Sequence, residues 1–282
     1  MIMERIVPTL CIVFVVLSCI LQEGCSQTQD EKKKKGVGKE GGGGGDPHFM
    51  LRIDSLDFPV CFDIDAVEGD VIRMLKDPIS GITINGGIVS SNQKKADGSF
   101  KTFIGELYLQ THNAQIHIKP DDITFNGASL SWNEEHVFEM NNIKIQFNRN
   151  RRHGNIMHLE LGNDVAIEIR RLMKEDTGLN VNYLNMNIDK ETGISDKAGG
   201  ILGQFVHKRT TLKKITIDSQ GRKRGLFREI ENGHKTHFKA ILHQQPDVIT
   251  TEMVWCWNVH RRTEGLLDGQ LSDYFVSDIT SA

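Results

Sequence analysis

The sequence lacks most of the features that mark a soluble enzyme or a nucleic-acid binder. Positive charge is not in excess: 34 Lys and Arg stand against 37 Asp and Glu, a formal net charge of -3. The basic footprint of a nucleic-acid protein is therefore missing from the overall balance. There is no Gly-x-Ser-x-Gly nucleophile elbow, and no glycine loop that leads from a strand into a helix to cradle phosphate. Cysteine is scarce, at five residues, which excludes the dense disulfide framework of a small protease inhibitor. No Asn-x-Ser or Asn-x-Thr sequon occurs, so N-linked glycan is not expected. Beyond residue 21 no apolar run approaches the roughly 20 residues that a spanning helix needs.

What is present begins with a targeting signature. Glu4 and Arg5 precede an apolar stretch over 6–21, broken only by Pro8, Thr9 and Ser18, and small residues follow at Gly24 and Ser26. This reads as a signal peptide over 1–26, which predicts secretion and no membrane attachment after cleavage. Cys11, Cys19 and Cys25 leave with it, so Cys61 and Cys256 remain, an even number in an oxidising compartment. They are expected to form one disulfide. Trp255 and Trp257 should lie on the strand face opposite Cys256. Residues 27–45 hold Lys32, Lys33, Lys34, Lys35 and the glycine run 41–45, with a single branched apolar residue, Val37. Such a segment cannot build a core and reads as a disordered Lys/Gly-rich linker.

From Asp46 the pattern changes to period-two alternation. Ile116-His117-Ile118, Ile143-Lys144-Ile145-Gln146-Phe147, Met157-His158-Leu159-Glu160-Leu161 and Ala166-Ile167-Glu168-Ile169-Arg170 each alternate apolar with polar residues. Turn signals separate them, among them Asn85-Gly86-Gly87, Asn126-Gly127 and Gly162-Asn163-Asp164. Short alternating segments at regular spacing predict an all-β, antiparallel sandwich or barrel-like domain over 46–276, with 277–282 as a tail. The predicted core positions are Ile116, Ile118, Ile143, Ile145, Phe147, Leu159, Leu161, Ile167 and Ile169. Short helices are expected at most near 189–200 or in the last fifteen or so residues, and the polar, basic stretch 208–224 reads as a long loop.

Few residues offer chemistry. His234, His237 and His243 form the densest histidine group, but their spacing fits no zinc signature, and neither metal nor cofactor is expected. His112 and His117 offer no metal signature either. Arg149-Asn150-Arg151-Arg152 and Arg222-Lys223-Arg224 resemble convertase cut sites; the first sits between two alternating segments and reads better as a hairpin turn. The remaining signal is Gly45-Asp46-Pro47-His48-Phe49. An Asp-Pro bond is acid-labile because the Asp carboxylate can attack its own backbone carbonyl carbon, closing a cyclic anhydride as the proline nitrogen leaves. That nitrogen must be protonated, and His48 is the nearest donor. Asp46, Pro47 and His48 are thus the candidate self-cleavage residues, and no firm catalytic set is expected.

Gly45-Asp46-Pro47-His48-Phe49 resembles the opening of the C-terminal domain of inter-alpha-trypsin inhibitor heavy chains, and a close variant opens von Willebrand factor type D domains. The resemblance continues through Cys61-Phe62-Asp63-Ile64-Asp65, Val71-Ile72-Arg73-Met74-Leu75-Lys76-Asp77 and Gly81-Ile82-Thr83-Ile84-Asn85-Gly86. It ends with Gly200-Ile201-Leu202-Gly203-Gln204-Phe205, Val254-Trp255-Cys256-Trp257, Glu264-Gly265-Leu266-Leu267-Asp268-Gly269 and Asp273-Tyr274. The family implies an extracellular matrix role. Its heavy chains are esterified through the motif's aspartate to chondroitin sulfate and transferred to hyaluronan, with this domain released as a propeptide. Protease inhibition in the family belongs to a separate partner subunit.

One departure matters. The domains that precede this one in the family are missing from the sequence as written, so an esterified Asp46 would carry a tail of only about twenty residues. The expectation is a secreted, non-enzymatic module with glycosaminoglycan or matrix proteins as partners and candidate self-cleavage at Asp46-Pro47. The rivals are an acyl donor that esterifies Asp46 to a glycan, and a structural domain that oligomerises. The sequence leaves the oligomeric state open.

Overall fold

A computed structural model describes residues 47–150, 154–162, 164–231, 233–259 and 265–282. The expected signal peptide, the Lys/Gly-rich segment, Asp46, Arg151 and Arg152 lie outside the described residues.

The regular structure of the described residues is mostly strand. A hairpin of β1 (His48–Leu51) and β2 (Val60–Asp63) comes first. Three longer strands follow: β3 (Val71–Asp77), β4 (Ile82–Lys94) and β5 (Phe100–Gln110). Next come the short strands β6 (Gln115–Ile118), β7 (Ile123–Phe125), β8 (Ala128–Leu130) and β9 (Phe138–Met140). A meander continues through β10 (Ile143–Asn150), β11 (Gly154–Leu161), β12 (Val165–Leu172) and β13 (Tyr183–Lys190). The last group is β14 (Arg209–Ile217), β15 (Lys223–Glu231), β16 (His234–Pro246), β17 (Met253–Val259) and β18 (Phe275–Val276). Among the described residues, helix is confined to α1 (Lys174–Thr177), α2 (Gly200–Gly203) and a 3-10 turn at Leu271–Tyr274.

Two sheets result. The larger has twelve strands in the order β18-β3-β4-β5-β13-β12-β11-β10-β9, with β6, β7 and β8 branching from β5. The branch forms because β5 divides its free edge: Ile104 pairs with Leu184 of β13, while Leu107, Tyr108, Leu109 and Gln110 pair with β6. Gly105 stands at the fork, where an added Cβ would lie 2.3 Å from Val89 Cγ1. The smaller sheet has six strands in the order β1-β2-β17-β16-β15-β14 and is mixed, since β2 and β17 run parallel. Just past β1, the Ser55 hydroxyl donates to the Thr210 carbonyl of β14 at 2.6 Å, so the two edges of this sheet are tied together there.

One continuous core joins both sheets. Phe49, Phe62, Phe227 and Phe238 enter it from the smaller sheet, and Ile72, Ile84, Leu107, Ile145, Leu159 and Ile167 from the larger. The all-β architecture and the alternation agree with the sequence: Ile116, Ile118, Ile143, Ile145, Leu159, Leu161, Ile167 and Ile169 are all buried. Phe147 is only partly buried and sits at the rim, edge-on to Trp132 with ring centroids 5.7 Å apart. Of the Arg149 cluster, Arg149 and Asn150 end β10 and pair with Asn155 and Gly154 of β11, while Arg151 and Arg152 lie outside the described residues.

Residues 208–224, expected as a long loop, form instead a hairpin of β14 and β15. The physical reason is a bulge. The register shifts between Leu212 and Lys214, so Lys213 is an extra residue that breaks the period-two pattern. The sequence also suggests helix near 189–200, but β13 persists to Lys190 and α2 begins only at Gly200. The final residues 277–282 are held against β4, because the buried Asn85 side-chain amide donates to the carbonyls of Ile279 and Ser281, each at 2.8 Å.

Candidate functional site

Of the candidate self-cleavage residues, Pro47 and His48 lie at the start of the smaller sheet. Proline suits the first position of an edge strand because it has no N–H to offer a ladder. Pro47 is buried, and its carbonyl accepts the Ile64 N–H at 3.3 Å. β1 then pairs with β2 so that His48 faces Asp63, Phe49 faces Phe62, and Met50 faces Cys61.

That register makes the site. His48 Nδ1 lies 2.5 Å from Asp63 Oδ1, with both side chains mostly buried. When Nδ1 carries a proton, this carboxylate accepts it in a hydrogen bond, and Nε2 is the ring nitrogen on the side away from Asp63. Nε2 is buried without a hydrogen-bond partner among the described residues. An Asp-oriented imidazole with a free Nε2 is the arrangement a general acid or base requires. Asp46 itself lies outside the described residues.

The strand that carries His48 is anchored on both faces. On one, Phe49 stacks on Phe62 with centroids 5.3 Å apart, and Phe62 meets Phe205 at 6.1 Å. On the other, Cys61 is disulfide-bonded to Cys256 of β17, with Cα atoms 5.9 Å apart, inside a small cluster with Met50, Ile156, Val248 and Ile249. Trp257 points away from that cluster into the main core, while Trp255, two residues earlier on the same face, is 46% exposed because it lies beyond the core's edge. Few fluctuations can therefore move Pro47 and His48 without disturbing the core.

A second polar cluster ties the smaller sheet to the last residues of the sequence. Gln204 follows α2, and its Nε2 donates to the carbonyls of Gly200 and Ile201. Its Oε1 accepts the Asp268 N–H at 2.8 Å, Lys208 Nζ at 3.3 Å and the Tyr274 hydroxyl at 3.2 Å. Burial, reinforced by the nearby Asp268 carboxylate, pushes the Tyr274 hydroxyl up to about 12. Lys208 is buried, paired with Asp268 at 2.7 Å and near Glu229 at 3.8 Å. The glycines beside this cluster are dictated by close approach. Gly200 has φ +92°, and a Cβ there would come within 2.7 Å of the Met74 carbonyl oxygen.

Between these groups lies a cleft of about 370 Å³, lined by Leu51, Ile53, Met186, Glu191, Leu202 and Lys208 among others. It opens at the far end of β1 from Pro47. Burial raises the Glu191 carboxyl pKa, against the opposing pull of His207.

The histidines do not gather. His234, His237 and His243 all lie on β16, and His117 is bound to Glu106 at 2.7 Å. Among the described residues no group of three His, Cys, Asp or Glu is placed to hold a metal ion. Of the basic clusters, Arg222 and Arg224 are both gripped by Asp218, with Nε–Oδ2 distances of 2.8 and 2.9 Å. Among the described residues no helix is long and apolar enough to cross a membrane.

Sequence reasoning found Pro47, His48, Cys61 and Cys256 but missed Asp63, Gln204 and Lys208 as working groups. Asp63 and Gln204 stand inside motifs legible in the sequence, but only the register reveals what each touches.

Comparison with known proteins agrees with the sequence motifs. The family described as the C-terminus of the inter-alpha-trypsin inhibitor heavy chain matches residues 79–261. Inter-alpha-trypsin inhibitor heavy chain H2 of Homo sapiens is 26% identical over 254 residues, covering 84% of this protein and 25% of its own length. Heavy chain H3 of Bos taurus is 27% identical over 246 residues, covering 83% and 27%. Heavy chain H1 of Sus scrofa is 26% identical over 243 residues, covering 83% and 26%. The protein spans about a quarter of the length of these curated relatives. The ordered motifs and the family match together show that it belongs to the family of inter-alpha-trypsin inhibitor heavy-chain carboxy-terminal domains.

Proposed function

We propose that this protein is a secreted, non-enzymatic extracellular module that breaks its own Asp46-Pro47 bond. The observation that carries the reading is the buried His48 and Asp63 pair, set one residue after the proline whose nitrogen must leave. Secretion rests on the targeting signature over 1–26.

In the proposed step an Asp46 carboxylate oxygen attacks the Asp46 backbone carbonyl carbon. The bond from that carbon to the Pro47 nitrogen breaks, and a five-membered anhydride closes. The His48 imidazolium gives its Nε2 proton to the departing nitrogen, while Asp63 holds the ring and offsets its charge. Pro47 is left as a new amino terminus. Water then opens the anhydride to a free Asp46 carboxylate. A glycan hydroxyl that took the place of water would leave Asp46 as an ester, which is the acyl-donor form of the same chemistry and the link to chondroitin sulfate and hyaluronan. The role as a purely structural, oligomerising domain gains nothing from the His48 pair.

The test is incubation of the purified protein at about pH 5.5 and about pH 7.5, either side of an ordinary imidazole's midpoint, followed by amino-terminal sequencing. The expected fragment begins Pro47-His48-Phe49, forms faster at the lower pH and disappears in Asp46→Ala. His48→Gln is expected to slow it by about 100-fold, the scale of a lost general acid. A protein that stays intact at both pH values overturns the reading. An Asp46-ending fragment attached to glycosaminoglycan would identify the acyl-donor form.

A further inference from the structure

We propose that the outer face of β14, β15 and β16 binds a sulfated linear polysaccharide. The proposal rests on the reading of the protein as an extracellular module and names a partner class for it.

The register decides which side chains share that face. Residues directly opposite across an antiparallel pair point the same way. Four rows result: Arg209, Ile230 and Lys235; Thr211, Arg228 and His237; Lys214, Leu226 and Lys239; Thr216, Arg224 and Ile241. The other face holds Thr210, Glu229 and Thr236, then Leu212, Phe227 and Phe238, and packs into the core. Every row of the outer face thus carries at least one Lys or Arg, and none carries a carboxylate. Glu229 belongs to the opposite face, where it is buried.

Overall composition hides this. Residues 208–244 hold ten Lys and Arg against three Asp and Glu, a net +7, so the rest of a sequence of net -3 carries -10. Within the rows no two Lys or Arg are direct neighbours; an apolar or neutral residue separates them. That spacing avoids the destabilisation of like charges set opposite each other. Cations in one row stand two strands apart, roughly 10 Å, with successive rows roughly 7 Å apart. Arg209, Lys214, Lys235 and Lys239 are exposed. Among the described residues they have no ion-pair partner, while Arg224 has Asp218. Arg228 stands in the middle of the face, with its Nε buried and without a partner among the described residues.

A flat grid of separated cations suits a flexible polyanion that lies across several strands. Binding would release counterions and weaken steeply with salt. Sulfate groups remain ionised at every physiological pH and supply more charge per sugar than carboxylates alone, which favours a sulfated polymer. A protein bearing a secretion signal meets such polymers before it meets nucleic acid.

The probe is heparin, titrated against the full-length protein at several salt concentrations. The variant Lys214→Gln/Lys235→Gln/Lys239→Gln is expected to bind about tenfold more weakly and with a shallower salt slope, since three counterion-releasing contacts are removed. A control with Lys76→Gln/Lys119→Gln/Lys174→Gln, exposed positions elsewhere in the fold, should bind as the parent does. Matching circular dichroism and Tm would show that both variants fold. Unsulfated hyaluronan should bind more weakly than heparin. Equal heparin binding by the first variant and the parent overturns the proposal, as does absence of heparin binding. Tighter binding of single-stranded DNA or of phosphatidylserine vesicles than of heparin would overturn the partner class. Cleavage is scored separately, by an amino terminus at Pro47, so the two readings fail independently.

Discussion

The two sheets solve the same packing problem by different means. The larger is antiparallel throughout, contains the longest run of meander, and buries alternate residues along β10, β11 and β12 with almost no exception. The smaller is mixed, ties its edges through Ser55 and Thr210, and is cross-linked by Cys61 and Cys256. At its far end Ile215, Ile217, Met253 and Trp255 stay exposed, and its outer face is cationic. The larger sheet gains its stability from area removed from water. The smaller one combines a covalent tie with a few stacked aromatics, and so has a face and an edge left free for chemistry.

The sharpest way to break that contrast is to cut the tie. Cys61→Ser/Cys256→Ser opens a loop of 195 residues. The chain-entropy argument then predicts a loss of about 5 kcal/mol, an upper-range value, measured by urea unfolding. Hydrogen exchange should report the loss first in β1 and β2. Loss confined to the larger sheet would reverse the assignment.

Truncating the aromatic stack should cost nearly as much. Phe227 is fully buried, stacked on Phe238 at 4.8 Å and edge-on to Trp257 at 5.2 Å. Phe227→Ala is expected to destabilise by about 4 kcal/mol. Ile167→Val, in the larger sheet, removes one methyl and should cost about 1 kcal/mol. Denaturant midpoints of the two variants test the ranking.

A pH effect belongs to the larger sheet. Asp77, at the end of β3, is 1% exposed. Burial alone would raise its carboxyl. The Ser195 hydroxyl at 2.5 Å, the Ser195 N–H at 2.9 Å and the Ile79 N–H at 3.0 Å outweigh that and pull it down to about 2. An unfolded Asp titrates near ~3.9, so the stabilisation is fully present above that value. It is lost as pH falls from there through the folded value of about 2. The expected contribution is about 2 kcal/mol. Ser195→Ala should remove much of it and flatten unfolding free energy against pH between about 4 and 2. An unchanged profile would refute the assignment.

The smallest effect is on the cationic face. Neutralising Lys214, Lys235 and Lys239 should change stability by no more than about 0.5 kcal/mol per site, because exposed charges contribute little. Urea midpoints of the triple variant and the parent measure it. A marked stabilisation would mean the face is strained by repulsion more than its staggered rows imply.

Much of the larger sheet was legible in the sequence. Ile143, Ile145, Leu159, Leu161, Ile167 and Ile169 announce both their strands and their faces, since period-two alternation is a local property. The hairpin of β14 and β15 was not legible, for an equally local reason. Lys213 adds a residue at the bulge, and the cations that follow read as loop composition. The candidate site was half legible. Asp46, Pro47 and His48 adjoin in sequence, and the chemistry of the bond follows from residue type alone. Asp63 stands fifteen residues from His48, and nothing in composition or spacing pairs them.

By itself the sequence determined the all-β character, the inward positions of the larger sheet and a disulfide between Cys61 and Cys256. Each follows from residue type or from sequence neighbours. Tertiary structure alone decided that Asp63 orients His48, that Gln204 gathers Asp268, Lys208 and Tyr274, and that scattered cations share one face. These depend on which strands pair and in what register. A one-residue slip sends every side chain to the other face, so such contacts exist only after the whole sheet has formed.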